Sequence, residues 1–105
     1  MSHGVVQRAW LGIAGSQQRL PPALRRTLGQ DRGLRIAQLV VGSPADQAGL
    51  RAGDIVVSVG PELAPSATTI QRLMVAAAIG RPVEITVWRN GALVDVIAVP
   101  RELAD

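Results

Sequence analysis

The sequence predicts a small α+β domain: an antiparallel sheet, or partly open barrel, capped by two to three helices. Three observations predict it. Segments with helical and strand periodicity alternate along the chain, and the last two strands sit side by side around Asn90-Gly91. The helical segments are too few for a doubly wound parallel sheet. The 105 residues make one domain, and 48% of them are apolar, which supports a core and argues against disorder. With no Phe, no Tyr and two Trp, that core is built from Leu, Ile, Val and Ala.

Val5 to Ser16 contains the apolar segment Trp10-Leu11-Gly12-Ile13, which reads as a turn leading into a strand. Leu20 to Leu28 opens with Pro21-Pro22, suited to a first helical turn, and repeats leucine at Leu20, Leu24 and Leu28. Gly29 ends that helix as a left-handed cap, and Gln30 to Gly33 is turn-like. Leu34 to Val41 reads as a strand. Ser43 then caps a short helix, Pro44 takes its first position, and Asp46 sits where a carboxylate reaches back to free backbone donors.

Asp54 to Val59 is a near-continuous apolar run, a buried strand ended by Gly60-Pro61. Ser66 to Ala78 carries the strongest helical stripe, Ile70, Leu73, Met74 and Ala77, with Thr68 or Thr69 as its cap. Val83 to Arg89 alternates, with Val83, Ile85 and Val87 on one face and Glu84, Thr86 and Trp88 on the other. Asn90-Gly91 is the two-residue hairpin signal. Pairing Arg89 with Ala92 sets Val87 opposite Val94, Ile85 opposite Val96, Val83 opposite Ala98, and Trp88 beside Leu93.

Composition removes several functions. Eleven residues are Arg and none Lys, giving a net charge of +3 and a pI near 11.3. The arginines are scattered from Arg8 to Arg101, only Arg25-Arg26 are adjacent, and no aromatic stacking set accompanies them. Nucleic acid is therefore not an expected partner. No apolar stretch is long enough to cross a bilayer, so direct membrane insertion is not expected. Without Cys and with one His, no thiol nucleophile, disulfide or multi-histidine metal site can form. No cofactor is expected. A catalytic triad would have to use His3 at the terminus, no Gly-x-Ser-x-Gly elbow exists, and capping or turns account for Ser43, Asp46 and Asp54. No catalytic residue is assigned.

The segment from Gly42-Ser43-Pro44-Ala45 through Gly49-Leu50-Arg51-Ala52-Gly53-Asp54-Ile55-Val56 resembles the central signature of bacterial PDZ domains. With Trp10-Leu11-Gly12-Ile13 upstream and Thr69 to Arg72 and Val83 to Gly91 downstream, the chain looks like the PDZ domain of an HtrA-type (trypsin-like, extracytoplasmic) serine protease. The resemblance covers residues 8 to 100. It frames residues 8–101 as the domain, 1–7 as an N-terminal extension and 102–105 as a tail.

That resemblance implies a peptide-binding module, taking C-termini of substrate or unfolded proteins by strand addition. The carboxylate would meet a loop of Trp10, Leu11, Gly12 and Ile13, with Arg8 nearby. The pairing strand would be Ile13, Ala14, Gly15 and Ser16, loosened by Gly15. The facing helix would supply Ile70, Leu73, Met74 and Ala77, with Leu73 and Ala77 favoured for the groove and Ile70 and Met74 for the core. The Gln17–Gly33 insertion stands where it could overhang the groove. Implied partners are C-terminal peptides and the protease domain of a parent chain, in the periplasm or another extracytoplasmic space. The alternative is an intramolecular or inter-subunit docking module that binds no free C-termini, with Trp88 on its contact face.

Overall fold

The computed structural model describes residues 8–63 and 65–103. The expected extension, residues 1–7, lies outside the described residues. Twelve short elements follow one another: β1 (Ala9–Trp10), β2 (Ile13–Arg19), α1 (Pro22–Leu28), β3 (Arg32–Leu39), α2 (Pro44–Ala48), β4 (Ile55–Val59), β5 (Glu62–Leu63), α3 (Ala67–Leu73), a 3₁₀ turn (Ala76–Ala78), β6 (Val83–Arg89), β7 (Ala92–Ala98) and β8 (Arg101–Glu102).

The main sheet is antiparallel, in the order β2-β3-β4-β6-β7, with β5 added to β4. It is open, so β2 is an edge strand. A second, two-stranded sheet pairs β1 with β8, setting Ala9 against Glu102 and Trp10 against Arg101. Glu102, expected in the tail, is thus held in a strand. The β6–β7 register is the one the apolar pattern demands, from Val83 with Ala98 to Arg89 with Ala92.

Strand β4 divides the apolar interior. Its Val56 belongs to the main core with Leu11, Leu34, Ile36, Ala45, Ile70, Met74 and Ile85. Its neighbours Ile55 and Val57 pack instead with Leu20 and Leu24, and Leu28 and Trp88 close that cluster. Successive strand residues face opposite ways. Helices α2 and α3 therefore cover one sheet face and α1 the other. The Gln17–Gly33 insertion is a continuation of the β2–β3 hairpin that folds α1 onto the far face, so it does not overhang the groove. The leucine repeat is the cause, since it needs an apolar surface and Ile55 and Val57 supply one.

Local signals set most ends. Gly29 adopts the left-handed cap after α1 (φ 69°). Ser43 Oγ accepts from the Asp46 N–H (3.2 Å), and Asp46 Oδ2 accepts from the Gly42 N–H (2.8 Å). Strand β3 starts earlier than expected, at Arg32, and stops at Leu39, because Val40 N–H is taken by Gly12 C=O (2.9 Å) and Val40 C=O by Ser43 N–H (3.1 Å). The α3 cap is Ser66, whose Oγ accepts from Thr69 N–H (3.1 Å), and not Thr68 or Thr69.

The largest correction concerns α3. The stripe predicts a helix to Ala78, yet it ends at Leu73. The Met74 carbonyl accepts from Ala9 N–H (3.3 Å), and Val75 forms a β-bridge with Arg8. Chain entering from β1 captures the backbone that a further helical turn would use, and Ala76–Ala78 form a separate 3₁₀ turn. Tertiary pairing overrides alanine's helical propensity here.

Candidate functional site

The site is a groove between the free edge of β2 and the face of α3, closed at one end by the Trp10–Ile13 loop. Two adjoining pockets make it. The first, of about 220 Å³, is lined by the loop residues Trp10 to Ile13 together with Arg8, Ile70, Gln71, Met74 and Leu103. The second, of about 240 Å³, continues past Ala14, Gly15 and Ala67 and shares Ile13, Ile70 and Gln71 with the first.

The loop backbone has a defined polarity. Leu11 C=O accepts from Ala45 N–H (2.9 Å), and Gly12 C=O accepts from Val40 N–H (2.9 Å). A trans peptide plane sends its C=O and the following N–H in opposite directions. The N–H groups of Gly12 and Ile13 therefore turn away from α2 and β3, toward the open side of the loop. The Gly12–Val40 bond also flanks the Ile13–Leu39 pair, so Ile13 is in a non-hydrogen-bonded position whose own N–H and C=O face the free edge. Two backbone donors pointing one way at the closed end of an apolar pocket suit an anion. Among the described residues no backbone carbonyl accepts from the N–H of Leu11 or Gly12.

Gly12 makes this possible. Its φ is +86°, and a Cβ there would lie 2.3 Å from Ser43 Cβ. Gly15 also has a positive reason to be glycine. The ladder is irregular between Ala14 and Gly15, and a Cβ on Gly15 would stand 2.0 Å from Arg35 O. Gly15 therefore permits the close approach of β3 rather than loosening the strand. The pairing strand itself runs beyond Ser16 to Arg19.

The helix side chains do not divide cleanly between core and groove: Ile70 and Met74 take the core places expected of them and reach the groove as well, which Leu73 and Ala77 do not. Ile70 and Met74 are buried and also line the first pocket. Leu73 is half-buried against the main core, and Ala77 is exposed and lies outside α3, in the 3₁₀ turn. Because α3 ends at Leu73, Ala77 cannot share its face. Gln71 was not singled out by the apolar stripe, yet it borders both pockets. Its one available signal was its place on the helix between Ile70 and Met74.

The β1–β8 pair braces the loop. The Arg101 guanidinium lies 5.9 Å from the Trp10 ring centroid and donates to Gly42 O (2.7 Å). Leu103 N–H donates to Arg8 O (2.8 Å), which brings Leu103 to the pocket wall. Away from the groove, Asp54 is buried and bound twice by Arg89, through Nε to Oδ1 (2.8 Å) and Nη2 to Oδ2 (2.6 Å). The side-chain hydrogen bonds to Asp54 raise the Arg89 pKa above its ordinary value. This pair is structural, joining β6 to the α2–β4 turn. Trp88 sits opposite Leu93 and packs on the α1 cluster. Among the described residues no three His, Asp or Glu side chains group as a metal site would require.

Comparison with known proteins places the fold in a family. A family model described as PDZ domain matches residues 10–98. A probable periplasmic serine endoprotease DegP-like from Hahella chejuensis is 33% identical over 93 residues, covering 89% of this chain and 20% of that protein. The chain thus spans about a fifth of the length of the curated relatives it matches. Among solved structures, the HtrA-type protease AlgW with decapeptide superposes with a TM-score of 0.74 at 28% identity, over 98% of this chain and 32% of that one. The HtrA3 PDZ domain bound to a phage-derived ligand shares the fold, with a TM-score of 0.68 at 18% identity, over 92% of this chain and 88% of that one. With an open antiparallel sheet, an edge strand facing α3 and a donor loop at the groove's closed end, this chain belongs to the PDZ domain family, a non-catalytic module.

Proposed function

We propose that this domain binds the C-termini of proteins, adding them as a strand to β2, and that it serves as the regulatory or substrate-delivery module of an HtrA-like serine protease. One observation carries the reading: the Gly12 and Ile13 N–H groups point out of the closed end of the groove, beside an unpaired strand edge. A terminal carboxylate is the anion that an added strand brings to that spot. Hydrogen bonds to a charged group contribute about 1.5–3 kcal/mol each. The terminal side chain enters an aliphatic pocket of Leu11, Ile13, Ile70 and Met74, so small and medium apolar residues fit it. The contact area of a few residues is small, and binding is expected to be weak and transient. The similarity to DegP-like endoproteases supports a periplasmic setting, with a protease domain of the parent chain as the second partner.

The test is a titration of a hydrophobic C-terminal peptide against the same peptide amidated at its end. The free acid is expected to shift the Leu11, Gly12 and Ile13 amide resonances, and the amide to do so far less. Equal responses would reject carboxylate capture. A second reading has its own observation. On the sheet face shared with Trp88, Leu93 and Ile97 are exposed on either side of Asp95, and these two apolar side chains support docking on another domain of the parent. It predicts no response to free C-termini and a shift at these residues on adding the protease domain.

A further inference from the structure

Arg19 and Arg32 stand directly opposite one another across the β2–β3 ladder. Like charges in that position repel and weaken the pair. Both side chains are exposed, and among the described residues neither forms an ion pair. Nothing in the fold explains why two arginines should face each other there.

Their place relative to the groove does. From Gly15 to Arg19 the ladder is regular, so Arg32 shares a face with Leu34 and Ile36, the face that α3 covers. Arg19, as its direct partner, lies on the same side. Helix α3 begins at Ala67 beside Gly15 and ends near the donor loop. The groove floor therefore runs past the start of α3 onto Gln17, Arg19 and Arg32. Neither β2 nor α3 contains a carboxylate. Of the acids nearby, Glu62 is paired with Arg72, and Asp31 is exposed next to Arg32.

A strand lying antiparallel to β2, with its last residue at Ile13, sets the residue about six places earlier opposite Arg19 and on the same face. That is roughly 20 Å along the strand. We infer that this groove selects C-termini carrying acidic residues about six positions before the end, held by Arg19 and Arg32. The inference rests on the C-terminal reading above and extends it to a substrate class.

Fluorescence anisotropy with ten-residue peptides tests it. Each ends in two valines, is otherwise serine, and carries aspartates, lysines or serines at the sixth to eighth positions from the end. Every peptide is made as free acid and as amide. At low salt the aspartate free acid is expected to bind about three- to tenfold more tightly than the serine one, and the lysine peptide more weakly than either. About 0.5 M salt should erase the difference. The double substitution Arg19→Gln, Arg32→Gln should abolish the acid preference, keep the acid–amide difference, and leave the thermal midpoint equal or higher. Equal binding of aspartate and lysine peptides, with the amide effect intact, overturns this inference alone. An acid preference that survives the double substitution does the same. Loss of the amide effect overturns the C-terminal reading and this inference with it.

Discussion

At the scale of single residues, two glycines and two large aliphatic side chains make the groove. Gly12 must hold a positive φ and must also lie against Ser43, and the two demands add. An alanine there costs about 1–2 kcal/mol for the left-handed backbone, plus about 1–3 kcal/mol for overpacking. Gly12→Ala is therefore expected to lower stability by about 2–5 kcal/mol and to remove carboxylate-dependent binding. Chemical denaturation and the acid–amide titration check the two effects. A loss of only about 1–2 kcal/mol, the backbone cost alone, would show that Ser43 moves aside. Ile70 and Met74 illustrate why sequence could not divide core from groove. Both are buried in the main core, yet both face the pocket, because a site built at the edge of a core uses the same side chains for both.

At the scale of elements, the helix facing β2 is shorter than its sequence stripe. Alternation and caps are local and were legible, which is why the β6–β7 register and the Ser43 cap read correctly. The end of α3 is not local. It depends on Arg8 and Ala9 reaching Met74 and Val75 from the other end of the chain. The start of α3 is local too, but Ser66, Thr68 and Thr69 all lie near it, and the expectation fell on the two threonines. The observed cap distinguishes them. Ser66→Ala is expected to cost about 1 kcal/mol, the usual value of a lost N-cap, and Thr68→Ala almost nothing. Urea unfolding of the two variants decides it, and a larger loss for Thr68 would move the cap.

At the scale of the molecule, one buried ion pair ties the layers together. Asp54 Oδ2 accepts from Arg51 N–H (2.9 Å) and both its oxygens accept from Arg89, while Arg89 also donates to Gly49 O (2.8 Å). Removing Arg89 strands a carboxylate that is 3% exposed. Arg89→Met is expected to cost about 3–5 kcal/mol, and adding Asp54→Asn to recover part of it, since the stranded charge is then gone. A double-mutant cycle in urea measures the recovery, and strict additivity would reject the coupling. The pH dependence follows from sign. The hydrogen bonds raise the Arg89 pKa, so its stabilisation is complete below the unfolded arginine value and fades only above it. Thermal unfolding between pH 7 and pH 10 should show no loss from this pair.

The sequence by itself determined the α+β class, the hairpin register, the helix caps at Ser43 and Gly29, and the resemblance that points to the Trp10–Ile13 loop. These are written in periodicity and in turn chemistry, which act between near neighbours. Only the tertiary structure decided that α1 covers the far sheet face, that α3 stops at Leu73, that Ile70 and Met74 line the pocket, and that Arg19 meets Arg32 beyond it. Each of these is a contact between segments far apart in the chain. Which partner a side chain meets depends on how the layers stack, and stacking is a property of the whole fold.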